Sequence, residues 1–131
     1  RFMSNIPENL KYTKDHEWAL QEGDSVKVGI TDYAQNSLGD IVYVEVREQG
    51  NGVSQGDSFG TIESVKAAED LYAPIKGTVA EANDDVLGSP EKVNSDPYGS
   101  WLIKMTGVDQ GEYDSLMDAA AYKAFVDSLE E

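Results

Sequence analysis

One stretch, Gly60 to Gly77, constrains the architecture of this chain more than any other. Strand-forming residues climb from Phe59 to Val65 and descend from Leu71 to Val79, with Lys66 between them and Pro74 and Gly77 ending the descent. Residues of this kind fit a pleated surface, so the segment predicts a β-hairpin with Lys66 at or beside its turn. No Asn-Gly or Asp-Gly pair marks a loop with positive φ, which leaves a turn built without it. Glu63, Ser64, Glu69 and Asp70 surround the lysine with polar and acidic side chains. Local sequence by itself makes Lys66 a solvated surface lysine.

The flanking chain reads as more β-structure. Val26, Val28 and Ile30 alternate with Lys27 and Gly29 as a half-buried strand. Thr31 or Asp32 is placed to cap a short helix, Asp32 and Gln35 having the spacing of a capping box, and Gly39 ends it. Ile41 to Val46 is almost continuously β-branched or aromatic and predicts a strand covered on both faces. Turns follow at Gly50-Asn51-Gly52 and Gly56-Asp57, and Trp101, Ile103 and Met105 alternate along a last strand. A faint repeat matches Asp57–Thr61 to Asp96–Ser100 and Gly39 to Gly77. It predicts two similar β units joined through the Lys66 hairpin.

The ends differ in character. Residues 1–10 carry Pro7 and no periodicity, which predicts an extended lead-in, and Arg1-Phe2 read as a remnant ahead of a natural start at Met3. After Gly111, Asp118 is placed to cap a helix whose Tyr122, Phe125, Val126 and Leu129 form an apolar stripe facing the β-structure.

A chain of 131 residues fits one domain, with a β core over about 11–106 and a helical segment over about 112–130. Its formal net charge of −15 argues against nucleic acid and anionic membranes and favours partners with basic docking faces. No apolar run approaches the length of a membrane span. Without cysteine there is no disulfide, no thiolate nucleophile and no Cys-ligated metal, so any sulfur redox chemistry must arrive on an attached group. His16 is the only histidine, which excludes a site needing two imidazoles and leaves a structural hydrogen-bonding role.

Glu63-Ser64-Val65-Lys66-Ala67, with Ala73 to Gly77 downstream, resembles the lipoylation site of the glycine cleavage system H protein family. Lys11-Tyr12 with His16-Glu17-Trp18 looks like the family's opening, and Gly29 to Gln35 with Leu38 to Val42 like its next block. Asn94 to Tyr98 and Trp101 to Lys104 look like its last strand region. The resemblance implies a mainly β fold, the lipoyl/biotinyl-carrier-like barrel-sandwich hybrid with short flanking helices and a C-terminal helix. It implies lipoic acid on Lys66, with Glu63 and Gly77 recognised by the lipoate-attaching enzymes. It further implies a monomeric, non-catalytic shuttle serving three enzymes. A PLP-dependent glycine decarboxylase (P protein) loads an aminomethyl group, an aminomethyltransferase (T protein) removes it, and dihydrolipoamide dehydrogenase (L protein) takes the electrons. The setting is the cytoplasm, given a bacterial-type start at Met3, or the mitochondrial matrix in a eukaryote. A loaded arm ends in an ammonium, for which Glu17 and Asp70, with Asp15 third, are candidate carboxylate partners. Tyr33 departs from the histidine common there, so no role of that imidazole carries over.

Three other readings stay open. Val65-Lys66-Ala67 matches neither the Met-Lys-Met of biotin carriers nor the Asp-Lys-Ala of oxoacid dehydrogenase lipoyl domains, yet a carrier domain of another multienzyme complex remains a reading. An acidic enzyme would need a closely paired carboxylate couple, and no spacing marks one. An unmodified acidic interaction module needs only the charge.

Overall fold

The computed structural model describes residues 2–130; Arg1, part of the expected remnant, lies outside them. The chain opens with a meander, β1 (Lys11–Tyr12), β2 (Glu17–Glu22) and β3 (Ser25–Ile30), the last carrying the Val26–Val28–Ile30 alternation. Next come α1 (Asp32–Leu38), β4 (Ile41–Val46), β5 (Gly52–Val53), β6 (Ser58–Ser64), β7 (Ala68–Tyr72) and β8 (Gly77–Ala82). The remainder is α2 (Asp84–Gly88), α3 (Lys92–Ser95), β9 (Ile103–Thr106), α4 (Gln110–Asp114) and α5 (Ala119–Leu129). All strand pairs are antiparallel. They form a six-stranded sheet, β1-β2-β3-β9-β8-β5, and a three-stranded sheet, β4-β6-β7.

The inner faces of the two sheets share one apolar core, in which Val26, Val28, Phe59, Ile75, Val79 and Met105 have no exposed surface. A second, aromatic cluster fastens the C-terminal helix to the opening strands. Tyr12 and Tyr122 stack there with ring centroids 4.6 Å apart. The Tyr122 hydroxyl reaches Thr31 Oγ1 at 2.7 Å and His16 Nδ1 at 2.8 Å, so this buried hydroxyl is satisfied by side chains from the opening segment.

Several expectations change on contact with the structure. β4 is covered on one face only: Ile41 and Val44 point inward, while Val42 and Tyr43 are exposed. A register shift between Ile41 and Tyr43 turns both side chains to solvent. The two halves of the faint repeat are not equivalent, because Phe59 is buried in β6 whereas Tyr98 lies in a turn after α3. The Lys66 hairpin does not join two units either; β6 and β7 belong to one sheet, and the chain changes sheets at Ala73–Lys76. Asn94 and Ser95 end a helical turn rather than entering a strand. Thr31 is the cap of α1, its hydroxyl accepting from Ala34 N–H, while Gln35 bonds the Asp32 carboxylate. The C-terminal segment is two helices, and at the end of its stripe Leu129 stays exposed.

Candidate functional site

Ser64 makes the turn at Lys66. Its backbone N–H donates to Ala67 O at 2.8 Å, closing a two-residue loop of Val65 and Lys66. Its hydroxyl oxygen accepts from Lys66 N–H at 3.3 Å and from Ala67 N–H at 3.1 Å. The serine side chain thus satisfies the donors of a tight turn that has no glycine. His16 is the only non-glycine described residue with positive φ, so the loop is built without that conformation.

The turn is anchored from outside the hairpin as well. Val65 N–H donates to Asp40 O at 3.0 Å, and Asp40 follows Gly39, which ends α1 at φ 80°. Asn94 holds this link from α3. Its Nδ2 donates to Gly39 O at 2.9 Å and to Gln35 Oε1 at 3.0 Å, and its Oδ1 accepts from Ile41 N–H at 2.9 Å. The stem of Lys66 passes over Gly39, where even a methyl group would stand 3.5 Å from Lys66 Cε. Lys66 is exposed, and its amine has no hydrogen bond or ion pair among the described residues.

Glu63 sits on the same hairpin, exposed, facing Ala68 across one strand gap and Tyr43 across the other. Gly77 is elsewhere. It opens β8 in the other sheet, where a Cβ would meet Met105 Cε, Thr106 O and Val108 Cγ1, each at 3.1 Å. Close packing gives that glycine a structural reason.

The three candidate acids occupy different environments. Glu17 is 2% exposed; Thr13 Oγ1 donates to its Oε1 at 2.7 Å and Tyr72 N–H to its Oε2 at 3.3 Å. Burial pushes its carboxyl up to about 7, although both hydrogen bonds pull the other way. The structure encloses this candidate partner of the arm's ammonium. Asp15 is exposed two residues away, and both acids line a cleft of about 270 Å³ with Thr13, Gln55, Pro74 and Met117. Asp70 is exposed on β7, opposite Thr61 and on the same strand face as Tyr72. From Ala68 to Tyr72 the strand covers about 13 Å, which brings Glu17 to the end of β7 remote from Lys66. The ring of His16 lies 4.6 Å from that of Tyr33, and burial lowers its pKa. Among the described residues no group of His, Cys, Asp or Glu is arranged to hold a metal ion.

Sequence reasoning missed the parts that hold the lysine in place: the Asp40 carbonyl, the Asn94 side chain and the Ser64 hydroxyl. In the sequence, Asn94 is only one residue of a resembling block. A backbone carbonyl leaves no sequence signal at all.

A lysine raised on a braced two-residue turn at the edge of a two-sheet β fold defines a lysine-arm carrier domain. The family model described as "Glycine cleavage H-protein" matches residues 10–129. The glycine cleavage system H protein of Anaeromyxobacter sp. (strain K) is 52% identical over 126 residues, 95% of this chain and 98% of that protein. The protein of the same name from Thermoanaerobacter sp. (strain X514) is 52% identical over 122 residues, 93% of this chain and 97% of that one. A crystal structure of a glycine cleavage system H protein from Mycobacterium marinum superposes with a TM-score of 0.82 at 38% identity, covering 91% of this chain and 97% of that one. The chain belongs to the glycine cleavage H-protein family, and its fold is the family's barrel-sandwich hybrid. No described helix is long and apolar enough to cross a membrane.

Proposed function

We propose that this chain is the lipoyl-bearing shuttle of a glycine cleavage system, with Lys66 as the attachment site. The observation that carries the proposal is the presentation of Lys66 itself: exposed, without an ion pair among the described residues, and fixed at the backbone on both sides. An attached lipoyl group would supply a dithiolane that opens as one sulfur takes an aminomethyl group, leaving after its removal a dithiol that would pass two electrons on. Every other requirement falls on the protein. For attachment, the Lys66 amine attacks the acyl carbon of an activated lipoyl donor, an acyl adenylate or thioester. The C–N amide bond forms as the bond to the leaving group breaks, and the amine loses its proton to solvent. An amine without an internal partner meets that need.

The lysine stem and acyl chain together advance roughly 15 Å from the backbone, comparable to the run of β7 towards Glu17. An arm of that length passes Asp70 on β7 and runs towards the strand end where Glu17 lies, with Asp15 in the same cleft as Glu17. Glu17 is suited to a cation because its burial penalises the carboxylate alone, and an incoming ammonium offsets that penalty. Glu63 lies where an attaching enzyme engages Lys66, whereas for Gly77 packing supports a structural role and any recognition acts through backbone shape. The partners of this reading are the P, T and L proteins together with the attaching enzymes. The chain has no reaction of its own, acts as a monomer, and works in the cytoplasm, as its bacterial relatives support.

Incubation of the unmodified protein with a lipoate ligase, ATP and lipoate, followed by peptide mapping by mass spectrometry, tests the assignment. One lipoyl group on Lys66 is expected. Modification of another lysine with Lys66 untouched would overturn it.

A further inference from the structure

Soluble proteins scatter large apolar side chains singly over their surfaces, so a cluster of them calls for an explanation. Val42, Tyr43 and Val65 are 54%, 46% and 71% exposed. The register gathers them at one end of the three-stranded sheet: Tyr43 faces Glu63, Ile41 faces Ser64, and Val65 is bonded to Asp40. The stem of Lys66 crosses Gly39, just before β4, and so rises from the same spot. The shift in β4 that turns two consecutive side chains outward sits beside the lysine. A charged rim accompanies the patch. Glu63 and Asp40 are exposed and have no ion pair among the described residues, and Glu45 accepts from the Tyr43 hydroxyl at 2.7 Å.

We propose that Val42, Tyr43 and Val65, rimmed by Asp40, Glu45 and Glu63, form the docking collar for the enzyme that acylates Lys66, whose mouth presents apolar side chains among basic groups. Reach selects this partner over the others. A bare lysine carries its amine only about 6 Å from the backbone, so an acylating enzyme must close over the hairpin tip and bury what flanks it. Enzymes that meet the far end of the finished arm do their chemistry roughly 15 Å away, so that chemistry does not require them to close over the tip. The acidic rim, on a chain of net charge −15, specifies basic groups opposite. Apolar area at the centre with charge at the edge is the ordinary layout of a specific interface.

The collar rests on Lys66 being the acylated residue, and the experiment separates the two claims. Initial rates of lipoyl transfer from a lipoate ligase with ATP and lipoate are followed by intact mass for wild type, Tyr43→Ser, Val65→Ser and the distant control Leu129→Ser. Thermal melts check that each is folded. Samples driven to full lipoylation are then assayed for reduction by dihydrolipoamide dehydrogenase. Tyr43→Ser and Val65→Ser should each lose roughly tenfold in kcat/KM for acylation, mostly through KM, while Leu129→Ser acylates normally. All the lipoylated samples should be reduced at the wild-type rate. If wild type is acylated at Lys66 and both variants match it, the collar is wrong and the carrier reading stands. An equal loss in the dehydrogenase assay also overturns it, because the patch would then serve the finished arm. Failure of wild type to accept lipoate at Lys66 overturns both.

Discussion

Glu17 is the residue whose environment departs furthest from its sequence. A carboxylate beside Asp15 and His16 in an acidic chain reads as surface charge, yet it is enclosed and bonded to Thr13 and to the backbone of Tyr72. Nothing local announces this, because the enclosing strand end arrives from more than fifty residues away in sequence. Lys66, by contrast, stands at the hairpin turn that its neighbours predict, since Ser64 to Ala67 form that turn. The burial of Glu17 has a pH signature. Its folded pKa, about 7, lies above its ordinary 4.5, so the folded state holds a proton that the unfolded state releases between those values. The stability is fully present below about pH 4.5 and is lost as pH rises through 7. Glu17→Gln keeps the shape and removes the titration. It should lessen the pH-dependent loss by up to about 3 kcal/mol between pH 4.5 and 8, measured by urea unfolding across that range; a slope identical to wild type would contradict it. The same variant, like Asp70→Ala, should release formaldehyde from aminomethyl-loaded protein roughly tenfold faster or more. Retention as long as wild type in both variants would remove the carboxylates from that role.

At the scale of elements, periodicity and capping residues located β3, α1 and α5, and strand-forming residues located β6. They could not say which strands are covered. The β-branched run of β4 looks the same whether one face or both are packed, and the register shift that exposes Val42 and Tyr43 depends on pairing with β6. The support of the hairpin was equally invisible, because it runs from the Asn94 side chain through the Gly39–Ile41 backbone to Val65 N–H. That chain of bonds makes a prediction about the element and not only the residue. Asn94→Ala leaves the Gly39 carbonyl and the Ile41 amide without their partner and should cost about 2–3 kcal/mol. It should also speed hydrogen exchange at the Val65 amide more than in the centres of β6 and β7. Wild-type protection of that amide would show that the hairpin does not depend on Asn94.

For the whole molecule, the resemblance supplied the barrel-sandwich fold, while the faint repeat misplaced its halves. The corner at Ala73–Lys76, where the chain leaves one sheet for the other, reads in sequence as the tail of a single descending strand. Pro74 was the visible sign of it, and its meaning lay in the partner strands. The fold presents Lys66 on a braced turn, its amine without a hydrogen bond or ion pair among the described residues, and on the proposed reading shuttling depends on that amine while folding does not. Lys66→Arg keeps charge and length but offers no acylatable amine, and an exposed substitution of this kind changes stability by under about 0.5 kcal/mol. The decisive measurement is glycine–bicarbonate exchange with the glycine decarboxylase component, run on Lys66→Arg and wild type after identical lipoylation treatment, with melting curves alongside. Lost exchange with an unchanged melting temperature is the predicted result. Exchange at the wild-type rate would rule out Lys66 as the shuttling residue.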